Sequence, residues 1–371
     1  SVDFINSLKE GDLTDVGMLA GATNKRAHRP VGGGFVGANV VKALATAAKD
    51  KGIDVRTNAK VEKLIVKNGK VVGIQYKGKN GVKTINAKAV VIAAGGFGAN
   101  QDLLTKINPK LKGFGTTNHP GATGDGITLG EKAGADTVDM SQIQTHPTVV
   151  PNNGEMITEA VRGNGAILVN QDGKRFINEL QTRDVVSAAE LKQPGKVGYL
   201  VFDTATRKSL KAIETYIKKG LVTEGATLDE LADKLKINAA NLKATMEQYA
   251  KFQADKKDAE FGRADMPRPL TEGPWFAVQV TPAVHHTMGG LRINTEAQVL
   301  DKKGHVIPGL FAAGEVTGGV HGANRLGGNA MADIVTFGRI AGRNAAEQPT
   351  GVIVPRGQKP EDAEKAAVAG K

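Results

Sequence analysis

The chain has 371 residues, 40% of them hydrophobic and 23% charged, an ordinary globular balance with enough length for more than one lobe. It contains no cysteine, which excludes disulfides, thiolate metal sites, iron–sulfur ligation and Cys-attached haem within it. The net charge of +11 is carried by lysines spread along the whole length beside only 4% aromatic residues, a poor platform for nucleic acid but suited to attracting small anions, and no apolar run approaches the ~18 residues of a membrane span.

The sequence begins at Ser1 and reads as cut from something longer. Residues 32–37, GGGFVG, match a dinucleotide fingerprint on paper, with Asp54 twenty residues beyond Gly34. The preceding NKRAHRPV is polar and holds Pro30 where a buried strand is required, so the stretch reads as a glycine-rich loop opening a helix. That helix follows in residues 37–51, with Val40, Val41, Leu44 and Ala47 at helical spacing. Two strands flank an Asn68-Gly69 turn, and Ala89 to Ala93 form a buried strand ending on Gly95-Gly96. Helix, hairpin and glycine-terminated strand in that order suggest an α/β nucleotide-binding domain.

From about 141 to 280 short strands (AILVN, GYLVF) alternate with lysine-rich helices: TRKSLKAIETYIKKG, then TLDELADKL capped by Thr227, then a long helix capped by Asn238. This reads as an inserted lobe. Glycine-rich texture returns after 281. In LFAAGEVTGG, Glu315 stands just past a strand end, where a carboxylate can hold ribose hydroxyls or simply be a solvated loop acid. Two glycines then precede Asn329, a candidate N-cap, with Ala330, Ile334, Phe337 and Ala341 marking a face of the next helix and Arg325 able to reach a carboxylate. Residues 346–371 read as an extended tail.

Several polar residues have open readings on pattern alone. Glu159 and Arg162 are one helical turn apart, as in many surface ion pairs. His146, before a proline, is as easily structural as catalytic. His285 and His286, adjacent on an extended segment, point to opposite faces and make a poor metal pair.

Four stretches in order, TNHPGATGDG, MITEAVRGNGAILVN, PAVHHTMGG and AAGEVTGGVHGANRLGGNA, closely resemble the flavin domain of soluble fumarate reductases of the flavocytochrome c type. The wider family takes in the flavoproteins of succinate dehydrogenase and fumarate reductase. The similarity runs from about residue 2 to 345. It departs at the start, where the family's strand, G-x-G-x-x-G and ribose-binding glutamate are not found. The fold implied is α/β: an FAD-binding Rossmann-like domain (1–140 and 281–345) with an inserted α+β capping, or clamp, domain (141–280).

The resemblance also implies the chemistry. The cofactor would be non-covalent FAD, with haem c only on a separate domain or partner, and the reaction the reduction of fumarate to succinate in anaerobic respiration. Arg183 matches the proton donor, and Glu159 and Arg162 the relay that returns protons to it. His285 and Arg325 match the pair on one carboxylate, with Gly328 beside them. His146, Thr158 and Glu159 match the group around the other. Val61, Asp125, Glu315, Ala330 and Met331 match cofactor contacts. An arginine acid requires a very basic acceptor, and the carbanion left by hydride attack is one, with Arg325 and Arg162 adding to the positive field. The implied partners are an electron-donor domain or protein, such as a multihaem cytochrome, with no nucleic acid and no membrane span, in the periplasm or alternatively the cytoplasm. Another enoate (urocanate or an acrylate-type acid) and a non-catalytic, flavin-free fragment are the competing readings.

Overall fold

The computed structural model describes residues 1–347, so the predicted tail lies almost wholly outside the described residues. The chain forms a mixed α/β fold. Strand Val90–Ile92 pairs in parallel with Val306–Ala312, which pairs antiparallel with Gln298–Leu300. This brings the glycine-terminated strand of the first segment beside the one that ends before Glu315. The predicted hairpin is present as Lys60–Lys67 and Lys70–Gly78, extended by Gly81–Asn86. Ile92, Leu64, Val71, Leu291, Leu310 and Val316 close one core around these sheets.

A five-stranded sheet joins Thr223–Gly225, Trp275–Thr287, Gly198–Asp203 and Ile167–Val169, with Ile143–Val149 on the long strand Trp275–Thr287. That thirteen-residue strand begins among helices of the 141–280 segment and runs on to the two histidines. Ile157, Val161 and Val186 are fully buried in the same cluster as Leu200, Phe202 and Val278. Each such side chain contributes about 1.5–3 kcal/mol on burial. They hold the short helices Glu159–Gly163 and Arg183–Glu190, which are too short to persist alone.

Thr227 and Asn238 accept from the amides of Glu230 and Asn241, as N-caps should. Four local expectations are corrected. The helix after the GGGFVG loop spans Val36–Asp50 but buries Ala43 and, against Ile5, Leu13 and Val335, Val40, leaving Val41 and Leu44 exposed. The TRKSLKAIETYIKKG stretch is two helices, Thr204–Lys208 and Ala212–Lys218. Its break falls at Ser209, whose hydroxyl donates to the Thr206 carbonyl at 2.6 Å and ends the first helix. Asn329 is the first residue of helix Asn329–Glu347 rather than its cap, following Gly328 at φ +82°. Ile334 faces outward on this helix because Asp333 takes the inner position, bonded to His321 at 2.9 Å.

Candidate active site

A cavity of about 410 Å³ lies where the long strand, the two short helices and the start of helix Asn329–Glu347 converge. His146, on strand Ile143–Val149, is fully buried on its wall. Its Nδ1 accepts the Thr148 amide proton at 3.3 Å, while the Thr148 hydroxyl is spent on the Ile157 carbonyl at 2.8 Å. A neutral His146 therefore carries its proton on Nε2, which is buried and has no partner in the protein. His285 packs edge-on against it at 5.2 Å, with Nδ1 2.7 Å from the Thr117 hydroxyl.

The strand register shifts between Val284 and His286, and such bulges re-aim side chains beside sites. Here the two adjacent rings diverge. His286 turns to Glu315, with Nδ1 3.2 Å from its carboxylate, and packs against His321. Burial, reinforced by the Arg183 charge, holds both His146 and His285 well below the usual imidazole range, so both are neutral.

Arg183 opens helix Arg183–Glu190, the end where the helix dipole disfavours a cation. Glu159 offsets this with a two-pronged contact: Nε and Nη2 of Arg183 donate to its carboxylate at 2.7 and 2.9 Å. Nη1 of Arg183 donates to Gln144 at 2.7 Å, and Gln144 in turn donates to Asn324 and to the Arg325 carbonyl. Arg162 Nη2 stands 3.9 Å from Glu159, so the pair sits on one helical turn, but both side chains are buried rather than on the surface. Burial alone would raise the Glu159 carboxyl, yet the guanidiniums of Arg183, Arg162 and Arg325 outweigh it and hold it below the usual carboxylate range. Arg325 is buried with Nε unpartnered, and burial lowers it to about 10, so it remains a cation at neutral pH.

Thr158 caps the Glu159–Gly163 helix; its hydroxyl accepts from the Ala160 amide at 3.4 Å and from Arg29 Nη2 at 2.8 Å, which leaves its own proton to donate. A Cβ at Gly327 would run into the Glu159 carboxylate, so only glycine lets this loop close over the acid.

The structure thus gathers His146, Thr158, Glu159, Arg183, His285, Arg325, Gly328, Ala330 and Met331 on one cavity, with Arg162 behind Glu159. Glu315 lies off it beside His286. Val61 and Asp125 are away from it, Asp125 exposed at the start of helix Asp125–Lys132 with Lys60 at 3.7 Å. Arg29, Thr117 and Gln144 are the polar residues that sequence reasoning missed. Each acts through a partner 39 to 168 positions away. The opposite wall is apolar, built by Val2, Ile5, Leu13, Val36, Val40 and Val335. A cavity with one apolar wall and a cationic, hydrogen-bonding rim suits a flat ring stacked against a small anion.

A family model described as FAD binding domain matches residues 7–331. The chain is 51% identical over 349 residues to the fumarate reductase (cytochrome) of Shewanella frigidimarina, covering 94% of this chain and 61% of that protein. It is 40% identical to the NADH:acrylate oxidoreductase of Vibrio harveyi, covering 94% of this chain and 36% of that one. Among solved structures, the open conformation of a flavocytochrome c3 fumarate reductase superposes with a TM-score of 0.75 at 46% identity, covering 93% of this chain and 62% of the other. The chain therefore spans about six-tenths of the length of the fumarate reductase it resembles.

Proposed function

This chain belongs to the FAD-binding flavoprotein family of the fumarate reductases and succinate dehydrogenases, and from that membership we propose that it reduces fumarate to succinate. The observation that carries the reading is the set of unfilled donors around one cavity: His146 Nε2, Arg325 Nε and the Thr158 hydroxyl proton, with Arg183 among them. Neutral histidines beside permanent cations suit a dianion, since they add donors without adding like charge.

FAD fits the residues present. The apolar wall and the first turn of helix Asn329–Glu347, at Ala330 and Met331, can take the ring system. Gly95, at φ +75°, has open space where a Cβ would stand, so the backbone there is bare to a close neighbour, while Gly96 is packed against Thr287 and Glu315. Glu315, Asp125 and Val61 would hold the parts that lie outside the cavity. When bound, the flavin supplies a hydride.

The protein's own groups do the rest. Arg325 and His285 grip one carboxylate; with the Thr117 hydroxyl, 2.7 Å from His285 Nδ1, as the donor in that pair, His285 carries its proton on Nε2. His146 and Thr158 take the other. Arg183, fixed by Glu159 and Gln144, stabilises the charge that grows on the substrate and gives a proton to the carbon opposite the hydride. Glu159 and Arg162 return a proton to it. Residues 141–280 act as a capping unit whose closure excludes water.

An electron-donor domain or partner protein, such as a multihaem cytochrome, and a periplasmic role in anaerobic respiration are part of the same proposal. Among the described residues no helix is long and apolar enough to cross a membrane. The test is a single turnover. Purified protein is expected to show a flavin spectrum, and after anaerobic reduction fumarate should reoxidise it with one succinate per flavin. Reduced flavin that ignores fumarate would refute the proposal.

A further inference from the structure

The stretch NKRAHRPVGGGFVG, whose glycines match a dinucleotide fingerprint on paper, carries a cation to the cavity instead. Its strand Ala27–Arg29 pairs antiparallel with Asp15–Gly17. The chain just beyond Gly17 is pinned to the 141–280 segment. The Gly21 amide donates to the Leu180 carbonyl at 3.0 Å, and a Cβ at Gly163 would stand 2.8 Å from the Met18 carbonyl oxygen. The strand pair therefore sits against helix Glu159–Gly163, which carries Glu159.

After Arg29 the chain turns at Pro30, whose carbonyl accepts from the Gly33 amide at 3.0 Å. Gly32 and Gly33 follow at φ +78° and +75°, a conformation that favours glycine. The Gly32 amide donates to Asp15 Oδ2 at 2.7 Å, and Phe35 packs edge-on against Tyr216 at 6.2 Å. The loop is thus held at both ends, and Arg29 stands on the cavity lining.

Arg29 is half-buried, and its Nη2 donates to the Thr158 hydroxyl at 2.8 Å. Among the described residues that is the only hydrogen bond of its guanidinium, and no carboxylate forms an ion pair with it. Asp15, opposite it in the strand pair, is directed to Gly32. Burial lowers the Arg29 guanidinium from its usual value, as it does for a cation without a close counter-charge. It stays protonated, because arginine keeps its proton in proteins.

The charges on the lining sort by partner. Arg183 is paired with Glu159, and both His146 and His285 are neutral. Arg26 is exposed to solvent. Two shielded guanidiniums without a carboxylate remain: Arg325, which grips one carboxylate with His285, and Arg29, bonded to Thr158. A dianion brings two charged ends into this cavity. His146 and Thr158 alone would desolvate the second carboxylate without offering a charge in return. Arg29 offers it, with Nε and Nη1 still to donate and its head held beside the Thr158 hydroxyl.

We propose that Arg29 is the cation of the second carboxylate grip, and that it makes the site select dicarboxylates over monocarboxylates. The proposal rests on the reading of this cavity as the fumarate site. Arg29 binds substrate and takes no part in proton transfer.

Arg29→Met and Arg29→Lys proteins, with flavin content measured first, provide the test in dye-driven reduction of fumarate and of crotonate. In Arg29→Met the KM for fumarate should rise on the order of tenfold to a hundredfold, with kcat reduced much less. Crotonate fills only the Arg325 and His285 grip, so its kcat/KM should fall far less. The preference for fumarate should then shrink at least tenfold. Arg29→Lys keeps the charge and should recover part of that preference. Binding can be read without turnover. Succinate added to oxidised, flavin-loaded protein should perturb the flavin absorption only at concentrations at least tenfold higher in Arg29→Met. Thr158→Val separates direct contact from support of the threonine. Adding Arg29→Met to Thr158→Val should weaken fumarate further, whereas an Arg29 that acts only through Thr158 would add nothing. The proposal is overturned by a fumarate KM within twofold of the parent, by equal losses for fumarate and crotonate, or by no added effect in the double variant. Loss of flavin from Arg29→Met would overturn it too, because the partner would then be an anionic part of the cofactor. Failure of the underlying reading looks different: the parent protein itself would show no preference for fumarate over crotonate.

Discussion

Replacing Arg183 by alanine is expected to lower kcat by roughly 10²–10⁴-fold, with flavin still bound and KM for fumarate moved far less. Under the proposed function the side chain acts in the transition state. Three of its N–H groups are spent on Glu159 and Gln144, so the guanidinium plane is fixed and its remaining protons are the mobile ones. Lysine would recover little. Its single ammonium cannot hold both Glu159 oxygens while also reaching Gln144, so charge and proton are both misplaced. Steady-state kinetics distinguish this from a simple clamp. A clamp predicts a large rise in KM with modest loss of kcat, and near-normal kcat in Arg183→Ala at saturating fumarate would exclude the acid role.

Arg325→Met should show the opposite division. Arg325 is buried, charged, and has Nε unpartnered in the protein, so an anion is the group that completes it. Removing it leaves a buried carboxylate facing methionine, at a cost of about 2–5 kcal/mol, which is a rise in KM of roughly thirtyfold or more. Some loss of kcat is expected too, because a misplaced carboxylate shifts the double bond relative to Arg183. An unchanged KM for fumarate would remove Arg325 from the substrate site.

Several elements could be read from the sequence because their signals are local. The Asn68-Gly69 hairpin, the caps at Thr227 and Asn238, and the divergence of His285 and His286 each depend on neighbours within a few residues. The second layer of the site is different. Gln144 matters because it lies between Arg183 and Arg325, Thr117 because it fixes one histidine ring, and Arg29 because it occupies a threonine hydroxyl. None of these pairings has a spacing rule, since tertiary packing alone brings the partners together. Glu190 illustrates the same limit. The packing of its helix on strand Ile143–Val149 and on Trp275–Thr287, rather than anything local, buries it. The outward turn of Ile334 likewise depended on Asp333 finding His321, twelve positions away.

The central claim is that two separate anion grips surround one proton donor. The most direct test compares kcat/KM for fumarate with that for monocarboxylate enoates (acrylate, crotonate and urocanate), under one reduced dye and at fixed pH and salt. Fumarate is expected to be preferred on the order of 10²-fold or more, because a monocarboxylate leaves one set of buried donors unpaired. Equal or better turnover of a monocarboxylate would contradict the assignment of His146 and Thr158 to a second carboxylate.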